Sequence, residues 1–422
     1  MNLRNIFFIL LAIVYSISCS QKINTTGTRK SIKEKPYVLL ISLDGFRWDY
    51  VDRFKPPHLM EFIKNGTKAE SLIPCYPSKT FPNHYSIATG MYPDKHGILG
   101  NIFYNYEKQN TYSIRNRETV EDGEYYGGKP IWVNATQSGL ISASYFFVGS
   151  EADVQGIFPD YYYKFDGRVK NERRVEQAIE WLALPEKDRP QMITMYFSDI
   201  DNIGHRVGPN NDKFLKKTLS SLDSVLGKLF KKIKSTGLPV NVIIVSDHGM
   251  KEVPIEKYIP VEMIQDDALF FTINNGSIVN IHPKEHVETN TIFEALREKE
   301  KGQHFKVFLT KDTPHFENVP TNKNWGVVQV IPEDGYYFTD IRSIAMKKAA
   351  KQEVFGQHGF DPKLKEMHGI FYANGPMIKK GFTVPSVKNI HIYPLMCEIL
   401  DLQVPAEVDG QLSEIEKVLI GH

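Results

Sequence analysis

One segment with a rigidly placed hydroxyl group is the most reactive feature of this sequence. The stretch PSKTFPNHYSIATG (77–90) places Thr80 between Pro77 and Pro82. Each proline fixes its own φ angle and biases the residue before it away from helix, so Thr80 is predicted to lie in a constrained turn. A hydroxyl group held this rigidly suits a nucleophile, because small displacements of a reacting atom cost rate.

Aspartate and histidine side chains recur at spacings that suit metal ligands. Asp201 and His205 are four residues apart, so one helical turn puts both on the same face. Taken singly, such residues more often cap helices or lie in loops. Because no thiolate accompanies them, their joint occurrence suits Zn²⁺ or a similar ion. Two sites are predicted, one formed by Asp201, His205 and His358, and the other by Asp44, Asp247 and His248 with Thr80 as an oxygen ligand.

Two such ions would suit phosphoryl transfer. A pair of divalent ions can bind the entering and leaving oxygens of an in-line displacement and lower the pKa of a bound hydroxyl group. Thr80 would then need no histidine base. Asn101 and the backbone N–H near Phe81 are the predicted donors to a non-bridging oxygen, although an asparagine after glycine also suits a turn. The Phe81 ring would pack on a base or acyl group, or simply on its own loop.

The elements that position these residues are predicted from apolar runs. Segments 35–46, 191–201 and 240–250 are each apolar and end in acidic residues, as buried parallel strands would. Apolar residues at helical spacing in 173–184 and 214–233 lie between them. This alternation predicts a doubly wound α/β sheet, which binds ligands at the carboxyl ends of its strands. Residues from about 251 to 350 break the alternation and are predicted to form an inserted cap within a catalytic domain of residues 36–422.

The N-terminal segment predicts export. Arg4 precedes an apolar run (6–15) that is too short to span a bilayer, and small residues precede Cys19. We predict a signal peptide (1–18), a lipidated Cys19 and a flexible tether (19–35), with ordinary signal cleavage nearby as the alternative. The protein would then be a lipid-anchored monomer facing the periplasm or the cell surface. Whether Cys75 and Cys397 form a disulfide bond stays open.

The 422-residue chain has a net charge of +1, so it lacks the excess of positive charge that is typical of proteins that bind bulk nucleic acid. The phosphate chemistry predicted above therefore has to come from a local site that binds a small nucleotide or another phosphodiester.

The chain beyond the tether resembles the nucleotide pyrophosphatase/phosphodiesterases of the alkaline phosphatase superfamily. The resemblance is carried, in family order, by SLDGFR, PSKTFPNHYSIATGMYPDKHGI, GKPIWVNA, GSEADVQG, SDIDNIGHRVGP, SDHGM, GQHGFD and MHGIFYANGP. It implies an alkaline-phosphatase-like fold, two Zn²⁺ ions on the two ligand sets above, and a covalent phosphothreonine intermediate at Thr80. It also implies that Asn101 contacts the phosphate and that Phe81 and Tyr161 sandwich a nucleobase, with Tyr162 and Tyr163 as alternatives to Tyr161.

The resemblance implies a phosphodiesterase that cleaves nucleotides to a nucleoside monophosphate. Two departures concern the substrate pocket: Asp199-Ile200 replaces the usual Glu-Pro, and Phe147-Val148 replaces a common Trp-Pro. The alternatives are a lysophospholipid or choline-phosphate diesterase, a phosphomonoesterase, and a surface lipoprotein without activity. A sulfatase is disfavoured because the sequence has no C-x-P-x-R motif.

Overall fold

The computed structural model describes residues 36–349 and 351–422. The predicted signal peptide, Cys19 and the tether lie outside these residues. The strands, in chain order, are β1 (Tyr37–Leu43), β2 (Thr67–Ala69), β3 (Leu72–Ile73), β4 (Ile102–Asn105), β5 (Asn110–Ser113), β6 (Ser142–Tyr145), β7 (Tyr161–Tyr163), β8 (Met192–Phe197), β9 (Val240–Val245), β10 (Lys251–Pro254), β11 (Tyr258–Pro260), β12 (Phe270–Asn274), β13 (Val279–Pro283), β14 (Phe305–Leu309), β15 (Val328–Pro332), β16 (Tyr337–Thr339), β17 (Val354–Gln357), β18 (Phe371–Asn374), β19 (Phe382–Val384) and β20 (Val387–Lys388).

Helices alternate with the strands over most of the chain. They are α1 (Tyr50–Phe54), α2 (Pro57–Lys64), α3 (Thr80–Thr89), α4 (Pro93–His96), α5 (Arg117–Val120), α6 (Ile131–Gln137), α7 (Asn171–Leu182), α8 (Asp199–Val207), α9 (Asp212–Thr236), α10 (Thr289–Glu300), α11 (Ile341–Ala349) and α12 (Ile392–Leu400). The predicted helices 173–184 and 214–233 correspond to α7 and α9, and α9 ends at Gly237 with a left-handed φ of 69°.

An eight-stranded, mostly parallel sheet forms the centre of the fold. Its order is β19-β2-β18-β9-β1-β8-β6-β7. β1 pairs in parallel with both β8 and β9, whereas β18 is antiparallel to β9 and β2. The three predicted strands are therefore neighbours, with β1 in the middle. This arrangement confirms the predicted doubly wound α/β fold and brings three carboxyl ends to one edge of the sheet.

Helices cover both faces of this sheet because the side chains of β1 alternate between two cores. Val38 and Leu40 belong to the core that includes α3, α6 and α12. Leu39 and Ile41 belong to the core that includes α2, α7 and α9. All four side chains are buried, as expected for a strand at the centre of a doubly covered sheet.

A second sheet forms within residues 270–332. Its four strands lie in the order β12-β13-β15-β14, all antiparallel, and α10 packs on it through Ile292 and Leu296. Asp94 of the main domain holds the segment before β15, because its carboxylate accepts hydrogen bonds from the Thr321 N–H and from Trp325 Nε1 at 2.9 Å each. We call this unit the small sheet.

Cys75 and Cys397 are both buried and are not bonded to each other. The Cys75 thiol donates to Asn389 Oδ1, and Cys397 Sγ accepts from Asn134 Nδ2. Among the described residues, no helix combines the length and apolar character needed to cross a membrane.

Candidate active site

Three carboxylates meet at the carboxyl edge of the central sheet. Asp44 follows β1, Asp247 follows β9, and Asp201 lies in the first turn of α8, directly after β8. Backbone hydrogen bonds join the three loops, because the Asp201 N–H donates to Asp44 O at 3.0 Å and the Gly45 N–H donates to Asp247 Oδ1 at 3.2 Å. The sheet register thus brings together residues that are far apart in sequence.

The histidines predicted as ligands lie against these carboxylates. Asp201 Oδ1 lies 3.3 Å from His205 Nε2 and 3.9 Å from His358 Nε2. His205 and Asp201 share one face of α8, which confirms the prediction from their spacing. The three residues of the first predicted site are therefore neighbours.

His248 joins this first group to the second one. Its Nε2 lies 3.0 Å from Asp247 Oδ2 and 3.5 Å from Asp44 Oδ1. The His248 ring also stacks on the His358 ring with a centroid separation of 3.6 Å. As a result, His248 belongs to two groups of potential metal ligands, one with Asp44 and Asp247 and the other with Asp201 and His358. Within each group the ligand atoms lie within 4.8 Å of one another.

The three clustered imidazoles are oriented in the same way. Each Nδ1–H donates to a backbone carbonyl: His205 to Gly356 O at 2.8 Å, His248 to Gly249 O at 2.8 Å, and His358 to Ser78 O at 2.9 Å. A carbonyl only accepts, so the proton of each neutral ring lies on Nδ1 and the Nε2 lone pair faces the carboxylates. This orientation is typical of metal-binding histidines.

The carboxylate oxygens are also arranged as ligands. Asp44 Oδ1, Asp201 Oδ1 and Asp247 Oδ2 are buried and accept no hydrogen bond within the described residues. Buried carboxylate oxygens normally have a donor, and leaving one without any partner is costly. Oxygen atoms without donors, facing imidazole lone pairs, fit divalent cations that would occupy the space between them.

The protonation of these groups follows from their crowding. Burial raises the pKa of Asp44 well above its usual range, and the carboxylates of Asp247 and Asp201 add to the effect. For Asp247, burial acts in the same direction, but the positive charges that His248 and His84 carry when protonated outweigh it and hold the pKa well below its usual range. Burial, reinforced by His248, lowers the pKa of His358, which keeps this imidazole neutral and able to act as a ligand.

Thr80 faces this cluster from the start of a helix. It is the first residue of α3, so the predicted turn is in fact a helix N-terminus, where Pro82 is tolerated because first-turn N–H groups need no partner inside the helix. Its Oγ1 lies 3.2 Å from His248 Nε2. His84, one turn later, donates from Nδ1 to Thr80 O at 2.9 Å and accepts from Ser42 Oγ at 2.8 Å. This bridge ties the hydroxyl-bearing turn to β1.

Asn101 contacts the same turn through its side chain. Its Oδ1 accepts from the Phe81 N–H at 3.0 Å, so this backbone N–H, predicted to be a free donor, is already engaged. With Oδ1 facing Phe81, the amide Nδ2–H₂ group of Asn101 is the part left to donate to a bound anion.

The aromatic residues do not all lie where the sequence predicted. The partly buried Phe81 ring packs edge-on near the ring of Tyr112, with a centroid separation of 6.3 Å. Tyr161 is not beside it, because its hydroxyl donates to Asp188 O, at the end of β8 opposite the site. Phe165, which the sequence reasoning missed, is 43% exposed and lies 6.0 Å from the Tyr196 ring. Its position in the aromatic-rich stretch after Pro159 was the available signal.

Two further residues of the site were also missed. The Tyr196 hydroxyl donates to Asp44 Oδ2 at 2.6 Å and fixes that carboxylate. Lys79 is buried, and its ammonium group donates to His358 O at 2.8 Å and to the Tyr337 hydroxyl at 2.7 Å. Burial lowers the pKa of Lys79 to about 7, although the charge of Asp201 opposes this change. Lys79 thereby connects the turn that carries Thr80, the His358 loop and β16.

Comparison with known proteins identifies the family. The sequence model of the family described as type I phosphodiesterase / nucleotide pyrophosphatase matches residues 38–361. The chain belongs to this family. The match includes the helix that starts at Thr80 and every predicted metal ligand from Asp44 to His358.

Relatives in the phosphodiesterase family are similar over nearly the whole chain. Ectonucleotide pyrophosphatase/phosphodiesterase family member 1 of Homo sapiens is 33% identical over 397 residues, which cover 92% of this chain and 42% of that protein. The venom phosphodiesterase CdcPDE of Crotalus durissus collilineatus is 32% identical over 396 residues, covering 92% of this chain and 47% of the venom protein. The chain spans less than half the length of these curated relatives.

Solved structures of the phosphodiesterase family share the fold. Murine ectonucleotide pyrophosphatase/phosphodiesterase 5 superimposes with a TM-score of 0.83 at 28% identity, covering 91% of this chain and all of that one. A second structure of the murine protein, an inactive threonine-to-alanine variant in complex with AMP, also has a TM-score of 0.83 at 28% identity, covering 92% of this chain and all of the other. The similarity confirms the alkaline-phosphatase-like α/β fold.

Proposed function

We propose that this protein is a zinc-dependent phosphodiesterase that cleaves nucleotide phosphodiester or pyrophosphate bonds and releases a nucleoside monophosphate. The observation that carries the proposal is the position of Thr80 Oγ1, 3.2 Å from His248 Nε2 and at the edge of a buried cluster of acceptors without donors. The family membership and the AMP complex of the murine relative support a nucleotide substrate.

The chain's own residues supply the parts of a two-step displacement. Two Zn²⁺ ions, when bound, would offset the phosphate charge and favour the ionised threonine hydroxyl. Thr80 Oγ1 attacks phosphorus and loses its proton to solvent, the bond to the leaving-group oxygen breaks, and the nucleoside monophosphate remains esterified to Thr80 as a phosphothreonine diester. Water then attacks this ester, releasing the monophosphate and restoring Thr80. Asn101 Nδ2 would donate to the non-bridging oxygen, and the N-terminal end of α3 favours the negative charge.

The ligand sets support zinc as the metal. The chain would hold one ion with Asp201, His205 and His358 and the other with Asp44, Asp247 and His248. Imidazole and carboxylate without thiolate suit Zn²⁺ among the common divalent ions. Metal analysis of the purified protein should give about two zinc atoms per chain. An Asp247→Asn variant should lose zinc with Thr80 unchanged, and full zinc content in that variant would contradict the assignment.

Replacement of the hydroxyl group tests the nucleophile. Thr80→Ala should lower the turnover of p-nitrophenyl-thymidine monophosphate by at least about 10³-fold, whereas Thr80→Ser keeps the hydroxyl group and should retain measurable activity. Acid quenching of the wild type with substrate labelled in the phosphoryl group should trap the label on Thr80. Wild-type turnover in Thr80→Ala would refute the assignment.

A substrate panel separates the competing activities. We expect p-nitrophenyl-thymidine monophosphate to be cleaved faster than p-nitrophenyl phosphate and p-nitrophenylphosphorylcholine. Dominant turnover of p-nitrophenylphosphorylcholine would favour a choline-phosphate diesterase instead. Dominant turnover of p-nitrophenyl phosphate would favour a monoesterase.

We further propose that the mature protein is anchored to a membrane through Cys19. The support is the sequence alone: a short apolar run and small residues precede this cysteine. After a high-salt wash, the wild type should remain with membranes of the producing cell, whereas Cys19→Ala should move to the soluble fraction. Equal recovery of both proteins in the membrane fraction would contradict the proposal.

A further inference from the structure

A groove opens at the edge of the central sheet opposite the candidate active site. Helices α2 and α9 form its walls, and residues at the start of β9 form its floor. β9 runs from this edge to Asp247, a distance of about 20 Å for its six residues. The groove is open to solvent and has a volume of about 650 Å³, and its apolar lining residues are Phe62, Phe230, Ile233, Leu238, Val240 and Val242. It is therefore separate from the catalytic edge.

Lysine residues also line this groove. Lys231 and Lys234 of α9 and Lys380, in the loop after β18, line the groove and are exposed. None of them forms an ion pair with any residue in the described part of the chain. Glu61, the acidic residue that lines the groove, accepts hydrogen bonds from Asn65. The groove thus offers three free positive charges against one negative charge.

Two exposed apolar side chains flank the loop that carries Lys380. Phe382 lies on β19, which pairs with β2, and its side chain is 36% exposed. The ammonium group of Lys379 lies 5.2 Å from the centre of the Phe382 ring. Ile420 is 60% exposed and is held beside this loop because its N–H donates to Met377 O at 2.9 Å. Apolar side chains next to lysines are typical of surfaces that enter the headgroup region of a bilayer.

We propose that this edge, formed by Lys231, Lys234, Lys380, Phe382 and Ile420, binds a bilayer surface that contains anionic lipids. Lysine ammonium groups would contact headgroup phosphates, and the two apolar side chains would enter the interface. The described chain begins at the same edge, since the Tyr37 N–H donates to Pro239 O at 3.2 Å. A chain attached to a membrane by its N-terminus would therefore present this surface to the membrane.

Charge and position argue against other occupants. Residues 29–35 of the chain contain four basic residues and one acidic residue, so this segment is repelled by the lysines. A nucleotide substrate would bind at the candidate active site, and the groove lies at the opposite edge of the sheet. An anionic lipid surface satisfies both the lysines and the apolar side chains.

Co-sedimentation with lipid vesicles tests the proposal. Full-length proteins carrying Cys19→Ser, so that no acyl chain is attached at residue 19, are mixed with vesicles of phosphatidylcholine alone or with about 30% phosphatidylglycerol, at low salt. The triple variant Lys231→Gln/Lys234→Gln/Lys380→Gln should bind the anionic vesicles at least about tenfold more weakly than its parent, because each lysine near a charged surface contributes about fivefold. High salt should weaken the binding of the parent.

A second triple variant serves as the matched control. Lys284→Gln/Lys301→Gln/Lys311→Gln removes the same charge from the small-sheet region and should leave vesicle binding unchanged. Both variants should hydrolyse soluble p-nitrophenyl-thymidine monophosphate at the parental rate. This activity would show that the variants are folded, whatever the natural substrate of the protein is. Equal loss of binding in both triple variants would overturn the proposal, as would equal binding of the parent to neutral and anionic vesicles. A dimer in the vesicle-free parent that the first variant abolishes would assign the edge to a second copy instead.

Discussion

Asn101 shows how a single side chain can be oriented by one backbone contact. Because Oδ1 accepts from the Phe81 N–H, the amide group is fixed with Nδ2 pointing away from the turn. The same contact holds the turn that carries Thr80. Asn101 therefore supports the turn that carries Thr80 and, under the proposed function, would also donate to the phosphate; substitution can separate these two roles.

Asn101→Asp should separate these roles. Aspartate keeps an acceptor for the Phe81 N–H but has no donor, so kcat for p-nitrophenyl-thymidine monophosphate should fall by about 10²–10³-fold with little change in thermal stability. Asn101→Ala removes both contacts and should also lower the melting temperature. Steady-state kinetics and thermal melts of both variants provide the measurement. Unchanged kcat in Asn101→Asp would eliminate the donor role.

Phe165 and Tyr161 provide a matched pair for base recognition. Phe165 is an exposed ring near Tyr196, whereas the Tyr161 hydroxyl is bonded to Asp188 O at the far end of β8. Phe165→Ala should raise KM for a nucleotide substrate by about tenfold and leave KM for p-nitrophenyl phosphate unchanged, because stacking of a base on an aromatic ring contributes about 1–3 kcal/mol. Tyr161→Ala should leave both values unchanged. The opposite ranking of the two variants would restore the role predicted for Tyr161 from sequence.

At the scale of elements, the loop after β1 packs directly on helix α8. Gly45 has a left-handed φ of 66°, and a Cβ atom at this position would lie 2.8 Å from Asp201 Cα. The loop carries Asp44 and the helix carries Asp201, so the space at Gly45 sets how closely the two carboxylates approach. Only a residue without a side chain allows this contact.

Gly45→Ala should therefore damage both stability and metal binding. We expect a loss of about 2 kcal/mol or more in the free energy of unfolding, from backbone strain and overpacking together, and weaker zinc retention. Gly237→Ala is the control, because Gly237 has a similar φ of 69° but no atom within 4 Å of the added Cβ. Its cost should be about 1 kcal/mol, with normal zinc content. Denaturant melts and metal analysis distinguish the two variants, and equal effects would show that the contact with α8 is unimportant.

The sequence predicted the elements well where a strong local pattern existed. The apolar runs that became β1, β8 and β9 end in aspartates, and the i, i+4 spacing of Asp201 and His205 is realised on α8. Local patterns did not reveal Tyr196 or Lys79, because their roles depend on contacts with Asp44 and with the His358 loop. The side-chain direction of Tyr161 was equally hidden, since a run of three tyrosines gives no signal for which end of the sheet each hydroxyl reaches.

At the scale of the whole molecule, a buried carboxyl group links stability to pH. Glu317, in the segment that joins β14 and β15 of the small sheet, accepts from the Tyr76 N–H of the main domain at 3.3 Å. Burial raises the pKa of Glu317 to about 7, although the bonded N–H groups and Lys388 oppose this change and Asp361 adds to it. Between about pH 4.5 and pH 7, the folded state therefore keeps a proton on Glu317 that the unfolded state has released.

Glu317 should therefore make the protein less stable as pH rises through 7. The stability that protonated Glu317 contributes is fully present below its pKa in the unfolded state. This stability is lost as the pH rises through its pKa in the folded state. Glu317→Gln keeps the acceptor for Tyr76 without the charge, and should be more stable than the wild type by up to about 2 kcal/mol at pH 8 and about equal at pH 4.5. Urea denaturation at both pH values measures this difference. Glu256→Gln, at an exposed site, should show no such pH dependence, and a parallel shift in both variants would contradict the explanation.

The strand order has a consequence for how this scaffold can change over evolution. Asp44, Asp247 and Asp201 follow the adjacent strands β1, β9 and β8, with β1 in the middle. Adjacent strands lie about 4.8 Å apart. The interval between the two candidate metal clusters thus depends on the hydrogen-bond lattice of the sheet together with the close contact at Gly45. Insertions and exchanges around the rim can diversify the molecules that are accepted while that interval stays constant, so specificity and catalytic spacing are free to evolve separately.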